Sequence, residues 1–289
     1  MTFGAEYEIR REGRWRLAVL PEKWDRELWN AVLSRLDSAA ARKHPQTVRL
    51  GGAPSDGASY YLKIYSPPAG AAALKDLFRD SKALRALKQG LALSRFGFHA
   101  PPALAAGEER TFGALGRAFL LTREITAQPL AAALRKYCAP PLDRHGVRKK
   151  RQWLKQLALE TGRLHRRGFV HGDLVASNIL ARLEADGGAT FFYMDNDRTR
   201  HYPAWFPHRL WRRNLVQLNR IVLPGISLQD RMRFLRIYLG ETSWAKREYR
   251  LIRWLEKKTR ERRRECEHVE AEVSFRELMR WNGPFAKNL

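Results

Sequence analysis

Between Leu164 and Arg200 a helix-like stretch runs into His171-Gly172-Asp173, Asn178 follows five positions after that aspartate, and an apolar run, Phe191-Phe192-Tyr193-Met194, delivers Asp195. No other part of the chain constrains the fold so tightly, because carboxylate, amide and carboxylate serve one site only if the backbone turns back between them. An Asp in a loop just after a helix can accept the proton of an attacking hydroxyl, and an Asn five residues on can reach round a tight turn to a metal ion. Glu184-Ala185-Asp186-Gly187-Gly188 is small, polar and glycine-rich between two apolar stretches, which predicts a hairpin. The hairpin is expected to bring Asp195 back beside Asn178, as hydroxyl-to-phosphate transfer with magnesium requires.

This HxDxxxxN arrangement with a strand-end Asp resembles the catalytic and metal-binding loops of the protein-kinase-like superfamily. Gly172 stands where regulated protein kinases carry Arg, and Asp195-Asn196-Asp197 stands in place of their Asp-Phe-Gly. The stretch after Asp197 has no Ala-Pro-Glu signature and runs through Tyr202-Pro203-Ala204-Trp205-Phe206-Pro207 into Trp211-Arg212-Arg213-Asn214-Leu215. These departures point to a small-molecule or glycolipid kinase. Within the superfamily the chain is most similar to the bacterial lipopolysaccharide core kinases, the Kdo/heptose kinase family of the WaaP and InaA type, over roughly Val48 to Leu239. Besides the loop residues, the likeness rests on Met194-Asp195-Asn196-Asp197-Arg198, on the lysine-bearing stretch Tyr60-Tyr61-Leu62-Lys63-Ile64-Tyr65, and on Leu74-Lys75-Asp76-Leu77-Phe78-Arg79 leading to Gly97-Phe98-His99-Ala100-Pro101-Pro102.

The resemblance implies an ATP- and Mg2+-dependent kinase. Asp173 would be the catalytic base, Asn178 and Asp195 the metal ligands and Lys63 the holder of the nucleotide phosphates, with the backbone of Glu124, Ile125 and Thr126 against the adenine. Two family features are missing. Ser81 to Gly90 contains no acidic residue to pair with Lys63, leaving Asp76 and Asp80 as nearest candidates, unless the phosphates hold the lysine directly or catalysis is weakened. The place of the glycine-rich loop reads Leu36-Asp37-Ser38-Ala39-Ala40-Ala41-Arg42-Lys43, where small residues still let backbone approach a phosphate. His165 reads as a packed helix histidine and His171 as a loop-orienting one. Asp197 stays open between a second metal or substrate contact and a pair with Arg198 or Arg200.

A chain of 289 residues, 44% hydrophobic, buries a sizeable core and fits one bilobal unit better than two independent domains. The formal net charge of +24 favours anionic partners. Nucleic acid is disfavoured, because no finger, helix-turn-helix or aromatic RNA-binding motif accompanies the charge. Cys138 and Cys266 alone make no disulfide framework or cysteine metal site. That usage makes a reducing cytoplasm the expected compartment; the amino terminus lacks a signal-peptide pattern and no apolar run reaches the roughly 18 residues of a membrane span, so any work at a membrane is expected at its surface. The resemblance implies a peripheral position on the inner face of the bacterial inner membrane.

Along the chain, Ala5 to Arg10 and Arg14 to Val19 read as strands, Pro21 to Leu36 as a helix, Thr47 to Gly51 and Ser59 to Tyr65 as a hairpin, Leu74 to Phe96 as a helix and Ala118 to Ile125 as a strand. Gln128 to Tyr137 and Arg148 to Arg167 read as helices. Trp244 to Arg264 is basic with an apolar stripe through Trp244, Leu251, Trp254 and Leu255; the stripe is expected to pack and the charges to face lipid or a phosphorylated sugar. The expected fold is therefore α+β and bilobal: a β-rich N-lobe with one main helix over 1–125 and a larger, mostly helical C-lobe over 126–289. The expected activity is phosphorylation of a Kdo or heptose hydroxyl on the lipopolysaccharide core or a lipid A-linked sugar, beside an anionic membrane. Two alternatives stay open: a catalytically weak kinase-like protein binding anionic glycolipid or a partner, and a kinase of a soluble small molecule. The sequence does not set the oligomeric state.

Overall fold

The computed structural model describes residues 5–39, 46–51, 58–67, 70, 74, 76–203, 209–223, 225–240 and 246–267. Residues 40–43, 52–57, 75, 204–207 and 244, which entered the sequence reading, lie outside that set. The chain divides into two units, Met1–Ile125 with Asp195–Thr199, and Thr126–Met194 with Arg200–Leu289.

The first unit is built on an antiparallel six-stranded sheet of β1 (Glu8–Glu12), β2 (Trp15–Val19), β3 (Gln46–Leu50), β4 (Tyr60–Tyr65), β5 (Ala103–Thr111) and β6 (Ala114–Arg123). Its spatial order is β1-β2-β5-β6-β4-β3. Side chains alternate between the two faces, and residue size decides which helix each face receives. Trp15, Leu17, Val19, Leu62, Ile64, Leu104, Phe119 and Leu121 form one face, and they pack with Leu28, Trp29, Val32 and Leu36 of α1 (Arg26–Ala39). Gly107 makes room in that layer, since a Cβ there would lie 2.3 Å from the Phe119 ring. The other face offers Ala18, Ala106 and Ala118, small enough for α2 (Lys82–Arg95) to seat Ala83, Leu84 and Leu87 against them.

The helix expected from Leu74 is interrupted: Leu74 and Asp76 are helical, the chain turns out of the helix after Asp76, and α2 starts anew at Lys82. Ser81 caps it, its hydroxyl accepting from the Leu84 N–H at 3.3 Å while its own N–H donates to the buried Glu108 carboxylate at 2.9 Å. An N-cap held from both sides fixes the start of α2 at this point, whatever the apolar periodicity upstream.

The second unit is mostly helical, with β7 (Gln128–Pro129), α3 (Leu130–Cys138), α4 (Arg144–Arg166), β8 (Phe169–Val170), β9 (Ile179–Leu183), β10 (Ala189–Tyr193), β11 (Arg200–His201), α5 (Trp211–Asn219), α6 (Leu228–Leu239) and α7 (Lys246–Glu267). Helix α4 begins at Arg144, capped by Asp143, four residues before the expected start at Arg148. It buries Trp153, Leu154, Leu157, Ala158 and Leu164, and its polar side chains anchor the predicted hairpin. Trp153 Nε1 donates to Gly187 O at 2.8 Å and Gln156 Oε1 accepts from Ala189 N–H at 3.0 Å. Lys150 pairs at 2.8 Å with Asp230, whose carboxylate also closes the capping box with Ser227 at the start of α6. The stripe of α7 packs through Leu251, Ile252, Trp254 and Leu255, then continues as buried Thr259 and Arg263. Arg263 is thus a structural cation inside the unit, although its sequence context is the basic run.

Glu160 on α4 faces the buried Tyr193, and burial pushes its carboxyl up to about 7, Arg163 and the tyrosine hydroxyl only partly offsetting this. In the unfolded chain the same group ionises near 4.5. Between those values the folded state alone keeps the proton, so stability falls as pH rises through that window. Glu160→Gln is expected to stabilise the protein by about 1–3 kcal/mol at pH 8 and by almost nothing at pH 4. Thermal unfolding at both pH values checks this, and an equal gain at the two would rule out the protonation account.

Candidate active site

The candidate residues form two groups, one within each unit. In the second unit the loop after β8 is held by side chains from α5. Asn214 Oδ1 accepts the His171 N–H at 3.0 Å and its amide nitrogen donates to His171 O, so one side chain satisfies both backbone groups of that residue. Gln217 Oε1 accepts from Leu174 N–H at 3.1 Å and from the Asn214 amide at 3.0 Å. Two donors on Oε1 fix the orientation of the Gln217 amide, which leaves Nε2 to donate to the Asp173 carboxylate at 2.9 Å. The other Asp173 oxygen receives the Asn178 amide at 3.3 Å, and that amide also donates to Asp173 O at 3.0 Å. Asn178 therefore turns its carbonyl oxygen away from Asp173.

His171 lies beneath the loop with both ring nitrogens engaged. Nε2 meets Met194 O at 2.7 Å and Nδ1 accepts the Asp173 N–H at 3.1 Å, which sets a neutral ring with its proton on Nε2. His165 is also internal, bonded to the Tyr238 hydroxyl at 2.8 Å and to Asn214 Oδ1 at 3.1 Å. The hairpin pairs Tyr193 with Ile179, and Met194 N–H donates to Asn178 O at 2.9 Å, immediately before Asp195 in the chain.

In the first unit Lys63 and Asp195 form an ion pair. Lys63 lies on the α2 face of β4 with its ammonium 5.3 Å from the Tyr65 ring centroid. Burial first, then the carboxylates of Asp197 and Asp195, hold the Tyr65 hydroxyl well above the ordinary tyrosine range. Asp195 takes a left-handed backbone, φ 55°, before the 3-10 turn Asn196–Arg198, a conformation Asp tolerates better than most residues. Arg85 of α2 donates to Asp197 O at 3.4 Å.

Neither aspartate suggested for Lys63 reaches it. Asp76 pairs with Arg79 and Arg85, and Asp80 pairs with Lys88 and Arg16, so local arginines and lysine outcompete the strand for both. The Glu124 side chain pairs with Arg49 and Tyr61, and its N–H donates to Ser59 O at 2.8 Å. Leu36 to Ala39, read as part of a phosphate-approaching loop, are instead the last turn of α1, with Leu36 buried in the core.

A family model for the lipopolysaccharide kinase (Kdo/WaaP) family matches residues 26–238, most of the chain. The chain belongs to the lipopolysaccharide kinase (Kdo/WaaP) family. It is a kinase, and its acceptor class is lipopolysaccharide sugar. Among solved structures, "WaaP in complex with acyl carrier protein" superposes with a TM-score of 0.61 at 22% identity, covering 85% of this chain and 98% of that one, which bears on the fold alone. Comparison with curated proteins finds no significant match. Among the described residues no helix is long and apolar enough to cross a membrane.

Sequence reasoning missed Asn214 and Gln217. The available signal was two amides three residues apart in a helix whose neighbours Leu215, Val216 and Leu218 are apolar, a spacing that puts both on one buried face. Gln217→Leu removes the donor to Asp173 while keeping the site packed. It is expected to lower kcat by roughly ten- to a hundredfold with the KM for nucleotide nearly unchanged. Steady-state kinetics test this, and a loss confined to nucleotide KM would refute the positioning role.

Proposed function

We propose that the protein transfers a phosphoryl group from ATP to a hydroxyl of a Kdo or heptose residue in the lipopolysaccharide inner core, working peripherally at the cytoplasmic membrane face. The observation that carries this is the Asp173 carboxylate, held on one oxygen by Gln217 and on the other by Asn178. A carboxylate so oriented can take the proton of an acceptor hydroxyl as that oxygen attacks phosphorus. The Asn178 carbonyl oxygen and the Asp195 carboxylate are hard oxygen donors of the kind magnesium takes, and Asp195 already meets a cation in the Lys63 ammonium. Magnesium bound there would neutralise charge on the nucleotide phosphates. Lys63 would exchange its carboxylate partner for a phosphate oxygen, and the Glu124 to Thr126 backbone would meet the adenine.

Replacing Asp173 by Ala is expected to lower turnover by about two to four orders of magnitude while leaving nucleotide affinity within a few-fold of wild type. Phosphate incorporation into purified core lipid, with ATP binding measured separately, checks both halves. Unchanged phosphorylation by this variant would remove Asp173 from the role of base.

A second reading concerns a partner. The second unit contains an apolar cavity of about 300 Å3 lined by Leu134, Leu157, Leu218, Ile226, Leu235 and Leu255, with Arg231, Arg260 and Arg263 on its wall. WaaP has been solved in complex with acyl carrier protein. We infer that this cavity takes the chain of an acylated carrier, with the partly exposed Arg260 at its wall to meet an acidic partner while Arg231 and the buried Arg263 hold the wall itself. Native mass spectrometry of the protein mixed with acylated and unacylated carrier is expected to show a complex with the acylated form alone. Equal binding of both forms would exclude the cavity.

A further inference from the structure

At one end of the six-stranded sheet two phenylalanines stand in solvent. Phe112, at the tip of the β5–β6 hairpin, is 104% exposed, and Phe78, in the turn before α2, is 88% exposed. The hairpin closes with Thr111 opposite Ala114, so its loop is Phe112-Gly113, and both residues have positive φ, 49° and 83°. A two-residue turn of this hand takes Asn, Asp or Gly at its first position. Phe is disfavoured there by its backbone and gains nothing from burial, so folding supplies no reason for it.

The backbone segments that carry the two rings are tied to one side chain. The Arg110 guanidinium donates to Gly113 O at 2.9 Å, to Asp76 O at 2.9 Å and to Arg79 O at 2.8 Å. That one planar cation binds the carbonyls next to Phe112 and on both sides of Phe78, and the buried Glu108 carboxylate fixes it from behind at 2.9 Å. The β1–β2 turn lies at the same end of the sheet, since Trp15 pairs with Glu109 and the Arg110 N–H reaches Arg14 O at 3.4 Å. Arg11 and Arg14 are exposed there, with Glu12 between them.

We propose that this end of the first unit docks on an anionic lipid bilayer, with Phe78 and Phe112 entering the interfacial layer while Arg11 and Arg14 meet lipid phosphates. Two separate protruding rings beside arginines suit a soft, anionic surface, and a chain of formal net charge +24 is drawn to one. The choice of lipid rests on the lipid-linked acceptor proposed above.

The test is sedimentation with vesicles of phosphatidylethanolamine and phosphatidylglycerol, and with phosphatidylcholine vesicles as the uncharged control. Phe112→Asn supplies the residue that the turn prefers, and combining it with Phe78→Ser removes both rings without touching the core. Wild type is expected to bind the anionic vesicles, and the double variant to bind them roughly tenfold or more weakly with a melting temperature no lower than that of wild type. Phosphorylation of delipidated core oligosaccharide is expected to be equal in the two proteins. Vesicle affinity of the double variant within about twofold of wild type would overturn the proposal. So would a wild type that ignores anionic vesicles, including one whose rings instead drive self-association in gel filtration. A wild type that binds vesicles but never phosphorylates the oligosaccharide would refute the acceptor reading and leave the docking surface standing.

Discussion

Two side-chain amides on one helix hold the loop that carries Asp173. A loop of His, Gly, Asp and Leu has no regular backbone partner, so its buried N–H and C=O groups need side chains to satisfy them. Asn214 does this for His171, and Gln217 does it for Leu174 while orienting Asp173. Helix α5 must itself be fixed for this to work. Arg231 reaches Asn219 O and Arg263 reaches Asn219 O and Arg220 O, two cations at the carboxyl end of the helix dipole. Burial and the facing Arg263 push Arg231 down to about 9, showing how much the surroundings resist charge there. From α7 through α5 to Asp173 the support is continuous, and its internal members are polar.

That polarity explains what could and could not be read from the sequence. The β9–β10 hairpin was legible because Gly187-Gly188 and the flanking apolar runs are local signals. Lys63 on an apolar strand was legible for the same reason, as was the end of α2 at Gly97, which has φ 73°. Partners distant in sequence were not. Asn214 and Gln217 lie more than forty residues from the loop they hold. Arg263 belongs to a basic run in which nothing local distinguishes a buried guanidinium from a solvated one. The counter-charge for Lys63 failed for a related reason: proximity in sequence suggested Asp76 and Asp80, but each has a closer cation, and Asp195 provides the pair.

The positive charge divides into separate tasks. Arg231, Arg263 and Lys150 are structural, each donating to backbone or a carboxylate within the second unit. Arg110 is structural in the first unit, tying a hairpin tip to a turn. What remains on the surface, Arg11 and Arg14 among it, is the part available to an anionic acceptor or membrane. Net charge alone does not make this division, because a buried arginine counts the same as an exposed one.

We propose that the loop held by α5 phosphorylates a sugar of the lipopolysaccharide core. Mass spectrometry of core oligosaccharide from cells lacking the protein, complemented by wild type or by the Asp173→Ala variant, tests it most directly. One phosphate on a core sugar is expected to disappear with the protein, to return with wild type and to stay absent with the variant. Identical phosphorylation in all three would contradict it.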